Sequence, residues 1–86
     1  MDYEWDDVKR LSNLEKHKID FWEMERFDWD TAKYEFDDYY PEPRWNAIGY
    51  IGLTPYYVVY TIRGETYRII SLRKATRKES RDYASA

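Results

Sequence analysis

Six of the seventeen residues from Tyr67 to Tyr83 are Arg or Lys, in a chain whose formal net charge is −3. A guanidinium is a planar fork that suits phosphate oxygens through two parallel hydrogen bonds. Arg68 and Arg73 are therefore the leading candidates for binding phosphate and stabilising charge on it. Their spacing raises a difficulty. Residues five apart on a regular strand point to opposite faces, so the two share a site only where a bulge or a strand end re-aims Arg73. The competing structural role is an ion pair with acidic residues elsewhere. The chain has no cysteine, a single histidine (His17) and no carboxylate cluster at metal-ligand spacing. That composition points away from a zinc site and towards a metal-free, arginine-rich chemistry.

The cations are segregated. Residues 1–43 carry 14 Asp or Glu and 6 Lys or Arg, whereas residues 44–86 carry 3 and 8. Such asymmetry suits a basic working surface for a polyanion, or two halves that neutralise each other in the fold. Eighty-six residues make one domain, 1–86, whose small core is helped by 4 Trp, 10 Tyr and 3 Phe. No apolar run approaches the roughly 18 residues of a membrane span. The acidic, aromatic N-terminus is unlike a signal peptide. A soluble cytoplasmic protein without a cofactor is the expectation.

These residues need elements to hold them. Tyr3-Glu4-Trp5 alternates as a short edge strand would. Asp6 suits a helix N-cap, and Val8, Leu11 and Leu14 predict an amphipathic helix to about Lys16. Asp20 caps a second, shorter helix with Phe21, Met24 and Phe27 as its buried stripe. Ala32, Tyr34 and Phe36 then alternate as the buried face of a strand. Asp37 to Pro43 reads as a loop, and as the most mobile part of the chain. Arg44–Ile51, Tyr56–Ile62 and Tyr67–Arg73 are three further strands, the middle one central, with turns at 52–55 and Arg63-Gly64-Glu65. Thr76 and Glu79 form a capping box that starts a last helix. The prediction is an α+β domain: two N-terminal helices, a four-stranded, mainly antiparallel meander with a short N-terminal edge strand, and a C-terminal helix.

Four stretches of this pattern resemble one family. They are Trp5-Asp6-Asp7-Val8-Lys9 with Asn13-Leu14-Glu15-Lys16-His17; Ile19-Asp20-Phe21; Arg44-Trp45 with Ile48-Gly49; and Arg68-Ile69-Ile70-Ser71-Leu72-Arg73-Lys74-Ala75 with Glu79 and Tyr83. Together they resemble the BrnT toxins, ribonuclease halves of bacterial type II toxin–antitoxin pairs. Lys18 departs from the family's frequent Gly after the His, Leu72 stands where a small residue is usual, and Trp22 is unusually bulky. The resemblance implies a RelE-like fold and a toxin that cuts RNA and inhibits translation. It also implies a BrnA-like antitoxin with a ribbon-helix-helix domain, and contact with operator DNA only through the toxin–antitoxin complex. A homodimer or a heterotetramer with the antitoxin would fit.

RNA cleavage without a metal uses the 2′-hydroxyl as nucleophile. It needs a base for that hydroxyl, cations for the phosphorane and an acid for the leaving 5′-oxygen. Arg68, Arg73, Arg44 and Lys9 are the candidate cations. His17 could act as acid or base, or simply cap a helix C-terminus. Glu79 could act as base, orient an arginine, or serve only the capping box. Arg77, Lys78 and Arg81 could follow the RNA backbone or be a solvated helix face. Tyr83 could stack on a base, donate a proton or pack. Trp5 and Trp45 read as core anchors first. The competing readings are a non-catalytic module that binds nucleic acid or protein through the same basic strand and helix, and an inert dimerising partner whose charge pattern is purely structural.

Overall fold

A computed structural model describes residues 1–85. The chain runs β1 (Asp2–Glu4), α1 (Asp7–His17), a 3-10 helix (Phe21–Arg26), β2 (Lys33–Asp37), β3 (Arg44–Ile51), β4 (Thr54–Arg63), β5 (Thr66–Lys74) and α2 (Arg77–Ser85). The five strands form one sheet in the order β1-β5-β4-β3-β2. The pairs from β2 to β5 are antiparallel, and β1 lies parallel to β5. The α+β class and the central place of the Tyr56–Ile62 run agree with expectation. The sheet is nevertheless five-stranded and mixed, and the second N-terminal helix is a 3-10 turn.

One sheet face carries the core. Ala47, Val58, Tyr60, Ile69 and Leu72 project from the strands onto Ile19, Phe21, Met24 and Phe27. Phe21, Met24 and Phe27 thus form the buried stripe expected of them. Gly49 is required here, because a Cβ at that position would lie 2.5 Å from the Phe27 ring. Asp20 accepts from the Trp22 N–H at the start of the 3-10 turn, as Asp6 does from Val8 at the start of α1.

Two buried faces anticipated from periodicity hold only at one residue each: Leu14 is half-buried and Ala32 packs against the core, while the other residues of each face are exposed. Val8 and Leu11 of α1 are 76% and 55% exposed, and the one buried residue of the helix is Asn13. The reason is placement: α1 packs chiefly beside β5, while the 3-10 turn and the segment after it fill the space over the sheet. Tyr34 and Phe36 on β2 are also exposed, because these elements stop short of the last strand. Both rings lean on Trp45 instead, with centroids 6.0 and 5.0 Å away. Among the described residues, no helix is long and apolar enough to cross a membrane.

Candidate functional site

The parity objection to Arg68 and Arg73 is removed by a β-bulge. On β4, Val59 faces Ser71 and the next residue, Tyr60, faces Ile69, so Ile70 is left without a partner in the ladder. The extra residue reverses the alternation of β5. Arg68 stands opposite Thr61 and Arg73 opposite Tyr57, and these two β4 residues share a face. Both arginines therefore project from the face opposite the core, about 13 Å apart along the strand at roughly 3.3 Å per residue.

That open face is ordered in rows by the strand register. Lys33, Ile48, Tyr57 and Arg73 form the first; Glu35, Asn46, Val59 and Ser71 the second. A third holds Asp37 and Arg44 on the outer strands and Thr61 and Arg68 on the inner ones. α2 covers the first row in part, where the Tyr83 hydroxyl donates to the Thr31 carbonyl at 2.6 Å and the Tyr83 ring meets Tyr50 edge-on. These contacts hold Tyr83 against the end of the sheet.

Arg73 is the most constrained cation. Its two terminal nitrogens donate to the two carboxylate oxygens of Glu79 at 2.8 and 3.0 Å, and its guanidinium lies 4.4 Å from the centre of the Tyr57 ring. Glu79 also accepts from the Thr76 N–H at 2.8 Å, while the Thr76 hydroxyl accepts from the Glu79 N–H at 3.1 Å. The capping box is thus built as expected, and its carboxylate has the second task of aiming the arginine. The Arg73 fork, helped by the Thr76 bonds, holds the Glu79 carboxyl down at about 2. So acidic a group is a poor proton acceptor near neutrality. Burial and the nearby Glu79 raise the Tyr57 phenol, which stays protonated.

α1 borders the open face along β5. Lys9, Lys16 and His17 line a cavity of about 370 Å³ with Ile70 and Ser71 of the bulge. Burial chiefly, then Lys16 and Arg73, lower the pKa of His17, so the imidazole is neutral at pH 7. Its nearness to Arg73 joins the end of α1 to the end of β5. The join is made by Asn13, whose Nδ2 donates to the Leu72 and Ile19 carbonyls at 2.8 and 3.2 Å and whose Oδ1 accepts from the Leu72 N–H at 3.1 Å. β1 pairs with β5 only over Thr66–Arg68. Beyond it, the Asn13 amide takes the place of a neighbouring strand. Lys18 then ends α1 in the left-handed conformation, φ 61°, the position the family often gives to Gly.

The other candidates are more dispersed. Arg68 pairs with Glu4 at 3.1 Å, so its ion pair is with the acidic N-terminal segment. Arg44 lies 4.1 Å from the centre of the Tyr40 ring and lines a cavity of about 330 Å³ with Asn46, Tyr57, Val59 and Ser71. Arg77, Lys78 and Arg81 are exposed on α2. Trp5 and Trp45 are half-buried against the core. Tyr57, Asn46, Ser71 and Asn13 were not singled out as site residues by sequence reasoning. Strand parity on β3 and β4 was the available signal for the first two; the bulge hid Ser71. Among the described residues, no group of three or more His, Cys, Asp or Glu side chains is placed to hold a metal ion.

Residues 5–79 match the family described as the ribonuclease toxin, BrnT, of type II toxin-antitoxin system. The chain belongs to the BrnT family. No curated protein matches it. Membership makes RNA the substrate class and a protein antitoxin the partner class of this BrnT chain. The matched span takes in β2 to β5, α1 and Glu79, and leaves out β1 and the end of α2.

Proposed function

We propose that this BrnT chain is a metal-independent endoribonuclease whose site is the open sheet face where β5 meets α1. The observation that carries the reading is the bulge at Ile70, which turns Arg68 and Arg73 to one face, while Lys9 and His17 border that face at Ile70 and Ser71 between them. The 2′-oxygen attacks the adjacent phosphorus, its proton passes to a base, and the bond to the 5′-oxygen breaks as that oxygen takes up a proton. The products are a 2′,3′-cyclic phosphate and a 5′-hydroxyl. Arg73, aimed by Glu79 and Tyr57, and Lys9 stabilise the phosphorane. Neutral His17 is the group suited to moving a proton. Arg44 and Arg68 hold flanking phosphates, and Arg77, Lys78 and Arg81 extend the cationic track along α2. Glu79 serves by orientation and not as the base. The activity inhibits translation until a BrnA-like ribbon-helix-helix antitoxin covers the basic face, and the pair acts on its operator through the antitoxin.

End analysis of RNA cut by the purified, antitoxin-free protein in chelator tests this. Cyclic phosphate ends are expected, with strong loss of cutting in Arg73→Ala and His17→Ala. Intact RNA after prolonged incubation with folded protein refutes the reading. Salt-sensitive RNA binding without products would favour a binding module instead.

A further inference from the structure

The middle row of the open face lies between the two arginine-bearing rows and differs from them. In the flanking rows Arg73 is bound to Glu79, Arg68 to Glu4, and Arg44 sits on the Tyr40 ring. In the middle row the Glu35 carboxylate and the Asn46 amide carry no hydrogen bond or ion pair among the described residues. They are direct cross-strand partners, which sets their Cβ atoms about 5 Å apart on one face. Both open into a cavity of about 340 Å³ between the sheet and α2, walled by Ile48, Tyr57 and Tyr83. That volume is at the small end for ligand sites and suits a single planar ring system. Tyr57 is shared with Arg73, so the cavity adjoins the phosphate-binding side chain.

The geometry points to a nucleobase subsite selective for guanine, formed by Glu35 and Asn46. It rests on the ribonuclease reading for the position of the phosphate. A carboxylate only accepts hydrogen bonds, so it selects a base edge with adjacent donors. Guanine is the one standard base whose Watson–Crick edge presents two, N1–H and the 2-amino group, and Glu35 accepts both. The Asn46 Nδ2 donates to the neighbouring O6. Adenine and cytosine each set one amino donor beside a ring acceptor, and uracil sets its single donor between two carbonyls. Each of these brings an acceptor against the carboxylate. Asp82, Glu79 and Lys33 also line the cavity; Glu79 is held by Arg73 and Lys33 donates to the Tyr83 carbonyl, so the carboxylate left facing the base is Glu35 and the phosphate lies outside on Arg73 and the α1 cations.

Nitrogen-15 NMR titration of the antitoxin-free protein with the 3′-monophosphates of guanosine, inosine, adenosine, cytidine and uridine is the test. The guanosine nucleotide binds at least about 10-fold more tightly than the adenosine, cytidine or uridine nucleotide, and shifts the Asn46 side-chain amide. Inosine, lacking the 2-amino group, falls between. Glu35→Gln weakens the guanosine nucleotide about 10- to 100-fold, the range for a charge-assisted hydrogen bond, and removes guanine preference from a cleavage map of mixed-sequence RNA. Equal shifts from all five nucleotides, no shifts at all, or a guanine preference unchanged in Glu35→Gln overturns the subsite. Guanine-selective binding by a protein that leaves RNA intact would refute the ribonuclease reading and uphold the subsite. Cleavage without base preference would do the reverse.

Discussion

Replacing Glu79 by Gln removes one charge from the pair that aims Arg73 and keeps the shape of the side chain. A carboxyl that titrates at about 2 in the fold and at 4.5 when exposed contributes at most about 3 kcal/mol. The side chains of Arg73 and Glu79 are 31% and 24% exposed, so screening by water reduces this to about 1.5 kcal/mol. For a domain of this size that is roughly 6–12 °C in Tm. The sign of the pH dependence follows from the direction of the shift. A carboxyl lowered by folding stabilises fully above its unfolded value and loses that contribution as pH falls towards its folded one. Wild type should therefore exceed Glu79→Gln by about 1.5 kcal/mol at pH 7, and the gap should close between about pH 4.5 and 2. Thermal unfolding followed by Trp fluorescence at several pH values measures it. A gap that stays constant down to pH 2, or no gap at pH 7, refutes the assignment of Glu79 as the ionised partner of Arg73.

Lys18→Gly should raise stability by about 1 kcal/mol in urea unfolding, because Lys18 bears a Cβ at a left-handed φ of 61°. Asn13→Ala should cost about 2–4 kcal/mol, since it leaves both polar groups of Leu72 without their side-chain partner, and hydrogen exchange at the Leu72 amide should accelerate. The His17 imidazole should titrate below 6.5 by NMR, and Arg73→Ala should move it upwards, because one of the charges lowering it is gone. An unmoved His17 would separate the end of α1 from Arg73.

Local chemistry was legible wherever a residue type answers a backbone need. Asp6, Asp20, and Thr76 with Glu79 cap the segments they were expected to cap, because orphan N–H groups at a helix start select these side chains. Gly64 takes the positive φ its turn requires. Burial was less legible. The spacing of Val8 and Leu11 describes a helix face without saying how much of it is covered, and here both side chains remain mostly exposed. The site lay between these cases. Arg73 and Glu79 were readable as candidates, but their fork needed a turn from β5 into α2 that no spacing rule specifies. Asn13 was visible only as part of a motif, since its task depends on where β1 stops.

The unpaired Ile70 also sets a counting rule for comparing BrnT-like chains. On an uninterrupted strand, two arginines facing the same way over this distance would be four residues apart, whereas here they are five. Alignments that close the interval by one residue therefore describe the same open face if the bulge is lost with it. A deletion within residues 69–71 of this chain, with the bulge squeezed out, would keep the arginines aligned. Deletion of Leu72 with the bulge retained would instead turn the Arg73 guanidinium towards the core. An inserted or missing residue in β5 is thus read correctly only together with the state of the ladder at Val59 and Tyr60.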